Sequence, residues 1–138
     1  MSNTELMNTD PFEAAKAAAD YIAAETGVES HDVALVLGSG WGAAADLIGE
    51  TTATLTASEV PGFHAPAVEG HVGTIRSVLT KEGKRALVLG ARTHYYEGKG
   101  VRAVVHGVRT AAAAGCQTLV VTNGCGGLNE AWTPAHPC

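Results

Sequence analysis

Apolar residues recur along this chain at two different spacings, and the switches between them predict its elements. Phe12, Ala15, Ala19, Ile22 and Ala23 fall at helical spacing, so residues 11 to about 25 are expected to form a helix with one apolar stripe. Asp10-Pro11-Phe12-Glu13 supplies its start. Asp10 can accept from free N–H groups, proline suits the first turn, and Glu13 stands where a capping box places its acid. Gly27 supplies the stop. Val33-Ala34-Leu35-Val36-Leu37 then runs without alternation, the pattern of a central strand covered on both faces. Further strands are expected over 51–56, 74–79 and 85–89, the last two forming a hairpin around Lys81-Glu82-Gly83-Lys84. Val101, Val104, Val105, Val108 and Ala112 predict a second long helix over 101–114, stopped by Gly115, with His106 off the stripe and solvated. Residues 118–122 predict another buried strand. Strands interleaved with helices make this an α/β chain.

Three of these strands end in glycine-rich polar loops. The strand at 33–37 runs into Gly38-Ser39-Gly40-Trp41-Gly42, with a helix expected near Gly42. Its glycines allow close backbone approach, and the Ser39 hydroxyl and neighbouring N–H groups can donate to an anion. The strand at 85–89 runs into Gly-Ala-Arg-Thr-His-Tyr-Tyr-Glu-Gly-Lys-Gly over 90–100. Arg92 offers a rigid donor fork suited to phosphate or carboxylate, and His94 points the same way in extended backbone. The plainer alternative for this segment is a polar loop with a surface ion pair between Arg92 and Glu97. The strand at 118–122 runs into Asn123-Gly124-Cys125-Gly126-Gly127. In an open α/β sheet, ligands sit where the carboxyl ends of strands meet such loops. Residues 58–73 hold too many glycines and prolines for a regular element and form a long loop. His71 is exposed there at a turn, and His64 is expected to have no role. Gly38, Gly40 and Ala43 also match a dinucleotide fingerprint, but Glu59 lies in a turn-rich loop rather than at the tip of the next strand.

Composition narrows the chemistry. The 138 residues fit a single domain, 1–138, and 46% hydrophobic with 17% charged residues is ordinary for a globular chain. A net charge of -5 argues against nucleic acid as a partner while leaving room for a local anion site. No run is long and apolar enough for a membrane span, and Glu5, Asp10, Glu13, Asp20 and Glu25 occupy the region where a signal peptide would be basic, then apolar. A cytoplasmic location is expected. Cys116, Cys125 and Cys138 lack a Cys-x-x-Cys spacing and read as reduced thiols. Cys125, without an adjacent base, is a poor candidate nucleophile.

Four segments in order carry a resemblance: Gly38-Ser39-Gly40, Gly70-His71-Val72-Gly73, Arg92-Thr93-His94-Tyr95-Tyr96-Glu97-Gly98, and Thr122-Asn123-Gly124-Cys125-Gly126-Gly127-Leu128-Asn129. Over about residues 30 to 130 the chain resembles the trimeric purine nucleoside phosphorylases. The resemblance implies an α/β phosphorylase fold with a central mixed, largely parallel sheet flanked by helices, incomplete here. It implies phosphorolysis of a purine nucleoside by inorganic phosphate, without cofactor or metal, giving free base and ribose 1-phosphate. Ser39, His71, Arg92, His94 and the Gly124 N–H would bind phosphate, Tyr96 would contact the sugar, and Asn123 and Glu97 would support the loops. A homotrimer is implied for the complete protein. Two alternatives remain: a methylthioadenosine phosphorylase using the same clamp, and a non-catalytic phosphate- or nucleotide-binding fragment. The family's second half, with its base-recognising residues, has no counterpart before Trp132-Thr133-Pro134-Ala135-His136-Pro137-Cys138. That tail has the look of a truncation or a shifted reading frame. Weak phosphate binding and poor turnover are therefore expected of these residues alone, with an apolar sheet edge left exposed.

Overall fold

The computed structural model describes residues 3–38, 40–64, 73–90, 92–124, 126, 128–129 and 131. A short helix α1 (Asn3–Asn8) precedes α2 (Pro11–Thr26), whose N-terminus is capped as the sequence predicts. The Asp10 carboxylate accepts from the Phe12 N–H at 2.8 Å and the Glu13 N–H at 3.3 Å, satisfying donors that a helix start leaves free. There follow β1 (Val33–Val36), a 3-10 turn (Gly42–Ala44), α3 (Ala45–Ile48), β2 (Gly49–Thr56), a second 3-10 turn (Ala57–Glu59), the hairpin strands β3 (Thr74–Thr80) and β4 (Arg85–Leu89), a third 3-10 turn (Tyr95–Glu97), α4 (Gly100–Ala113) and β5 (Thr118–Val121). No helix among the described residues is long and apolar enough to cross a membrane.

The five strands form one mixed sheet in the order β2-β3-β4-β1-β5. β1 runs parallel to both of its neighbours, β4 and β5, while β2, β3 and β4 pair antiparallel. Apolar runs without alternation appear where both sheet faces are covered. Leu87 and Leu89 of β4 and Ala34 and Val36 of β1 join one core with Ala18 and Ile22 of α2 and Ala111 of α4. Ala86 and Val88 join a smaller cluster on the other face with Ala45 of α3 and Val78 of β3. The alanines of α2 let that helix lie close, so Ala14, Ala15, Ala18 and Ile22 are all at most 2% exposed.

Three expectations from spacing are corrected. Phe12, assigned to the apolar stripe of α2, is 71% exposed and lies against the Arg109 guanidinium. In α4 the face turned to the core carries Ala103, His106, Thr110 and Ala111 rather than the valines. Small residues let the helix approach the sheet closely, and that close packing outweighs burial of the bulkier valine side. His106, expected in solvent, is therefore buried. Lastly, β5 is exposed along its whole length because only β1 pairs with it among the described strands.

The ends of β1 and β5 are stitched together just beyond their pairing. The Gly38 N–H donates to Thr122 Oγ1 at 2.9 Å, and the Thr122 N–H donates to the Val36 carbonyl at 3.0 Å. A Cβ on Gly38 would stand 2.7 Å from the Thr122 carbonyl oxygen, so only glycine permits this approach. Elsewhere the main buried polar contact joins His31 Nε2 to Ser77 Oγ at 2.9 Å. Burial, then the Arg85 charge, lowers the His31 pKa against the opposing pull of Asp32.

Gly38→Ala is expected to destabilise the fold by about 1–3 kcal/mol through overpacking against backbone that cannot yield, measured by urea unfolding. A second prediction follows from the buried histidines. His31 and His106 both have pKa values lowered from 6.5, so below that pH the unfolded chain binds protons that the fold refuses. Their stabilisation is present above 6.5 and is lost as pH falls through the folded-state values. The melting temperature should drop from about pH 6.5 towards pH 5, and His31→Gln, which keeps a donor for Ser77 without titrating, should shallow that slope.

Candidate functional site

Parallel pairing sets the geometry of the candidate site. In register, Val36 of β1 lies beside Leu89 of β4 and Val121 of β5, so three carboxyl ends reach one edge of the sheet together. Strand order also reverses around β1, with β4 on one side and β5 on the other, which creates the crevice that such sheets use for ligands. Val36, Leu89 and Val121 line a cavity of about 320 Å³ at this edge. Ala103, Val104 and Val108 of α4 close it on one side, and Gly62, Phe63 and His64 form another wall. Its polar lining includes Arg92, Thr93, His94, Tyr95 and Glu97, together with His64 and His106.

The loop after β4 is held by its glutamate. Glu97 Oε1 accepts from the His94 N–H at 2.8 Å, closing the 3-10 turn of Tyr95–Glu97. Its other oxygen meets Lys99 Nζ at 3.1 Å, and the Glu97 side chain is only 8% exposed. The His94 N–H, and after it Lys99, hold the Glu97 carboxyl below its ordinary pKa against the opposing effect of burial. The Arg92–Glu97 ion pair of the plainer alternative is not found among the described residues; Glu97 is committed to its own loop. Arg92 is exposed and has no carboxylate partner among the described residues. The His94 and Tyr96 rings stack at 4.9 Å with 15° between their planes.

The structure thus brings Arg92, His94 and Glu97 onto one cavity. Tyr96 touches that group through His94 but is itself 83% exposed and outside the lining. Asn123 and Gly124 leave from the end of β5, which the Thr122 stitch holds beside Gly38, and neither lines the cavity. A Cβ on Gly124 would meet nothing within 4 Å. Ser39, His71, Cys125 and the tail at 132–138 lie outside the described residues. Among the described residues, no group of three or more His, Cys, Asp or Glu side chains is placed to hold a metal ion. Burial pushes the Cys116 thiol up to about 11, which makes it a poor nucleophile at neutral pH.

Two histidines enter that sequence alone did not mark. His64, expected to have no role, lines the cavity, and its Nδ1 is buried with no hydrogen-bond partner among the described residues. Burial, then the Lys99 charge, lowers its pKa, with Glu97 opposing. His106 reaches from α4 to the Pro61 carbonyl, with Nε2 at 2.9 Å, and meets the Phe63 ring edge-on at 4.9 Å. The signal for His106 was available: it belongs to the small-residue face of Ala103, Gly107, Thr110 and Ala111. For His64 no local pattern distinguishes it, because its loop is placed by that contact across the fold.

Comparison with known proteins follows the same lines. Residues 32–136 match the model of the phosphorylase superfamily. A purine nucleoside phosphorylase of Cellulomonas sp. is 62% identical over 133 residues, covering 94% of this chain and 47% of the relative. One from Mycobacterium tuberculosis is 50% identical over 119 residues, covering 86% of this chain and 44% of the relative. The chain spans about half the length of the curated relatives it matches. Among solved structures, Schistosoma mansoni purine nucleoside phosphorylase in complex with inosine superposes with a TM-score of 0.76 at 29% identity, over 88% of this chain and 41% of that one. Fold, strand-end geometry and a match over three quarters of its length together establish that the chain belongs to the phosphorylase superfamily.

Proposed function

We propose that this chain is the phosphate-clamping part of a purine nucleoside phosphorylase. The observation that carries the reading is the exposed Arg92, without a carboxylate partner among the described residues, beside His94 at an edge where three strand ends converge on one cavity. The relatives at 62% and 50% identity are purine nucleoside phosphorylases, and a solved neighbour holds inosine. None of the described residues favours the methylthioadenosine or dinucleotide alternatives.

In this mechanism Arg92 grips a phosphate dianion through its guanidinium fork, with His94, the Ser39 hydroxyl, His71 and the Gly124 N–H as further donors. Tyr96 contacts the sugar. Asn123 and Glu97 keep their loops in place. As the glycosidic bond breaks, positive charge builds on the sugar, and an anion held against that face stabilises it while supplying the nucleophile. One phosphate oxygen forms the new bond to the anomeric carbon; the base leaves with the bonding electrons and takes up a proton. Phosphate is a co-substrate, and no metal or cofactor takes part in this scheme. A cytoplasmic homotrimer is the expected form of the complete protein.

Isothermal titration of inorganic phosphate into the chain, with inosine plus phosphate assayed on the same preparation, tests the reading. Saturable binding should weaken roughly ten- to a hundredfold in Arg92→Ala, the equivalent of losing a charged hydrogen-bond donor worth about 1.5–3 kcal/mol. Equal affinity in the parent and in Arg92→Ala would refute the clamp. Glu97→Gln, which keeps an acceptor for the His94 N–H but drops the Lys99 pair, should cost less than about threefold, whereas Glu97→Ala, which frees the loop, should approach the loss in Arg92→Ala.

A further inference from the structure

We infer that His106 is a positioning residue for the nucleoside: it latches the cavity wall formed by Gly62, Phe63 and His64. The identity of the ligand rests on the proposed function, but the latch itself stands on contacts within the fold.

His106 projects from the core face of α4 and is 3% exposed. Its Nε2 lies 2.9 Å from the Pro61 carbonyl, so the ring carries its proton there and donates to the loop. Beside that bond the ring meets the Phe63 edge, with centroids 4.9 Å apart at 66°. The loop comes so close that a Cβ on Gly62 would stand 2.4 Å from Nε2, and Gly62 itself has a φ of +78°. Glycine is thus required at 62 for two separate reasons, backbone conformation and ring contact. Two backbone bonds continue the hold: the Val60 N–H donates to the Ala57 carbonyl and the Phe63 N–H to the Val60 carbonyl, both at 3.1 Å.

What this arrangement positions is a wall of the cavity that also holds Arg92 and His94. Phe63 offers an aromatic surface, and His64 beside it carries a ring nitrogen without a partner among the described residues. These groups suit the uncharged part of a nucleoside, a sugar with hydroxyls and a flat base, better than a phosphate dianion. His106 itself lines the cavity, but its Nε2 is committed to the Pro61 carbonyl rather than turned to a ligand. Its contribution is to hold the wall at a fixed distance from the Arg92 clamp, since a small displacement of a binding wall is costly to affinity.

Two variants separate the ring contact from the hydrogen bond. His106→Phe keeps a ring against Phe63 and loses the donor to Pro61; His106→Gln keeps an amide donor near the same place. Backbone hydrogen exchange at Val60 and Phe63 reads the latch without any ligand, and it should speed up by about tenfold in His106→Phe and recover in His106→Gln. Titration with inosine should then show about tenfold weaker binding in His106→Phe, recovered in His106→Gln, while inorganic phosphate affinity stays within about twofold of the parent. Should His106→Phe fail to melt cooperatively, Gly62→Ala takes its place: its methyl group would stand 2.4 Å from Nε2 and push the ring off Pro61, so exchange at Val60 and Phe63 should again speed up by about tenfold.

Unchanged exchange in His106→Phe, or in Gly62→Ala where that variant replaces it, overturns the latch. Faster exchange with unchanged inosine affinity, or equal losses for inosine and phosphate, makes the contact structural only and overturns the positioning role. A parent chain that binds phosphate but not inosine overturns the ligand role of His106 in this chain, while the exchange data still decide whether the latch exists.

Discussion

Everything at the candidate site depends on β1 lying parallel between β4 and β5 with its last residue in register with theirs. Each apolar run must end at the same edge for Gly38, Arg92 and Asn123 to emerge near one another. Hydrogen bonding continues past the strands to secure this. Thr122 accepts from the Gly38 N–H and donates its own N–H to Val36, so the loops after β1 and β5 cannot drift apart without losing partially buried bonds. Antiparallel pairing of β3 with β4 adds support from the other side and leaves the carboxyl end of β4 free to deliver its loop.

Charge is distributed over that edge in a way that suits its proposed task. Glu97, which could have neutralised Arg92, is instead turned into its own loop and bound there by the His94 N–H and Lys99. A guanidinium with no carboxylate partner among the described residues, beside a cavity, is available to an external anion. The imidazoles of His64 and His106 have lowered pKa values from burial, so this wall adds no second full charge near neutral pH. A cation at one rim and an uncharged, partly aromatic wall at another match a ligand that is itself part anion and part neutral ring.

The outer face of α4 and the whole of β5 are the least satisfied part of the fold. Val101 is 61% exposed, Val108 47% and Val121 51%. The relatives at 62% and 50% identity are about twice as long as the span they share with this chain. An apolar helix flank beside an edge strand with one described neighbour is where further structure would pack. Burial on the other side of the sheet and under α2 does not depend on it.

Much of the fold was legible because its signals are local. The Asp10 cap, the extent of α2, the β3–β4 hairpin and the glycine-rich strand ends each follow from a few adjacent residues, and Arg92, His94 and Glu97 were marked by sitting together just after an apolar strand. Spacing misjudged α4, however, because helical periodicity reports where the large apolar residues are and not which face lies closest to the sheet. Small residues won that face, and with them His106 was carried into the core. The pairing of Thr122 with Gly38, the choice of Lys99 over Arg92 as the partner of Glu97, and the placing of His64 through His106 and Pro61 all join residues distant in sequence or pointing in unforeseen directions. Local sequence therefore determined which groups the loops carry; tertiary packing decided which of them meet, since distance across a sheet edge is set by register and close approach rather than by separation along the chain.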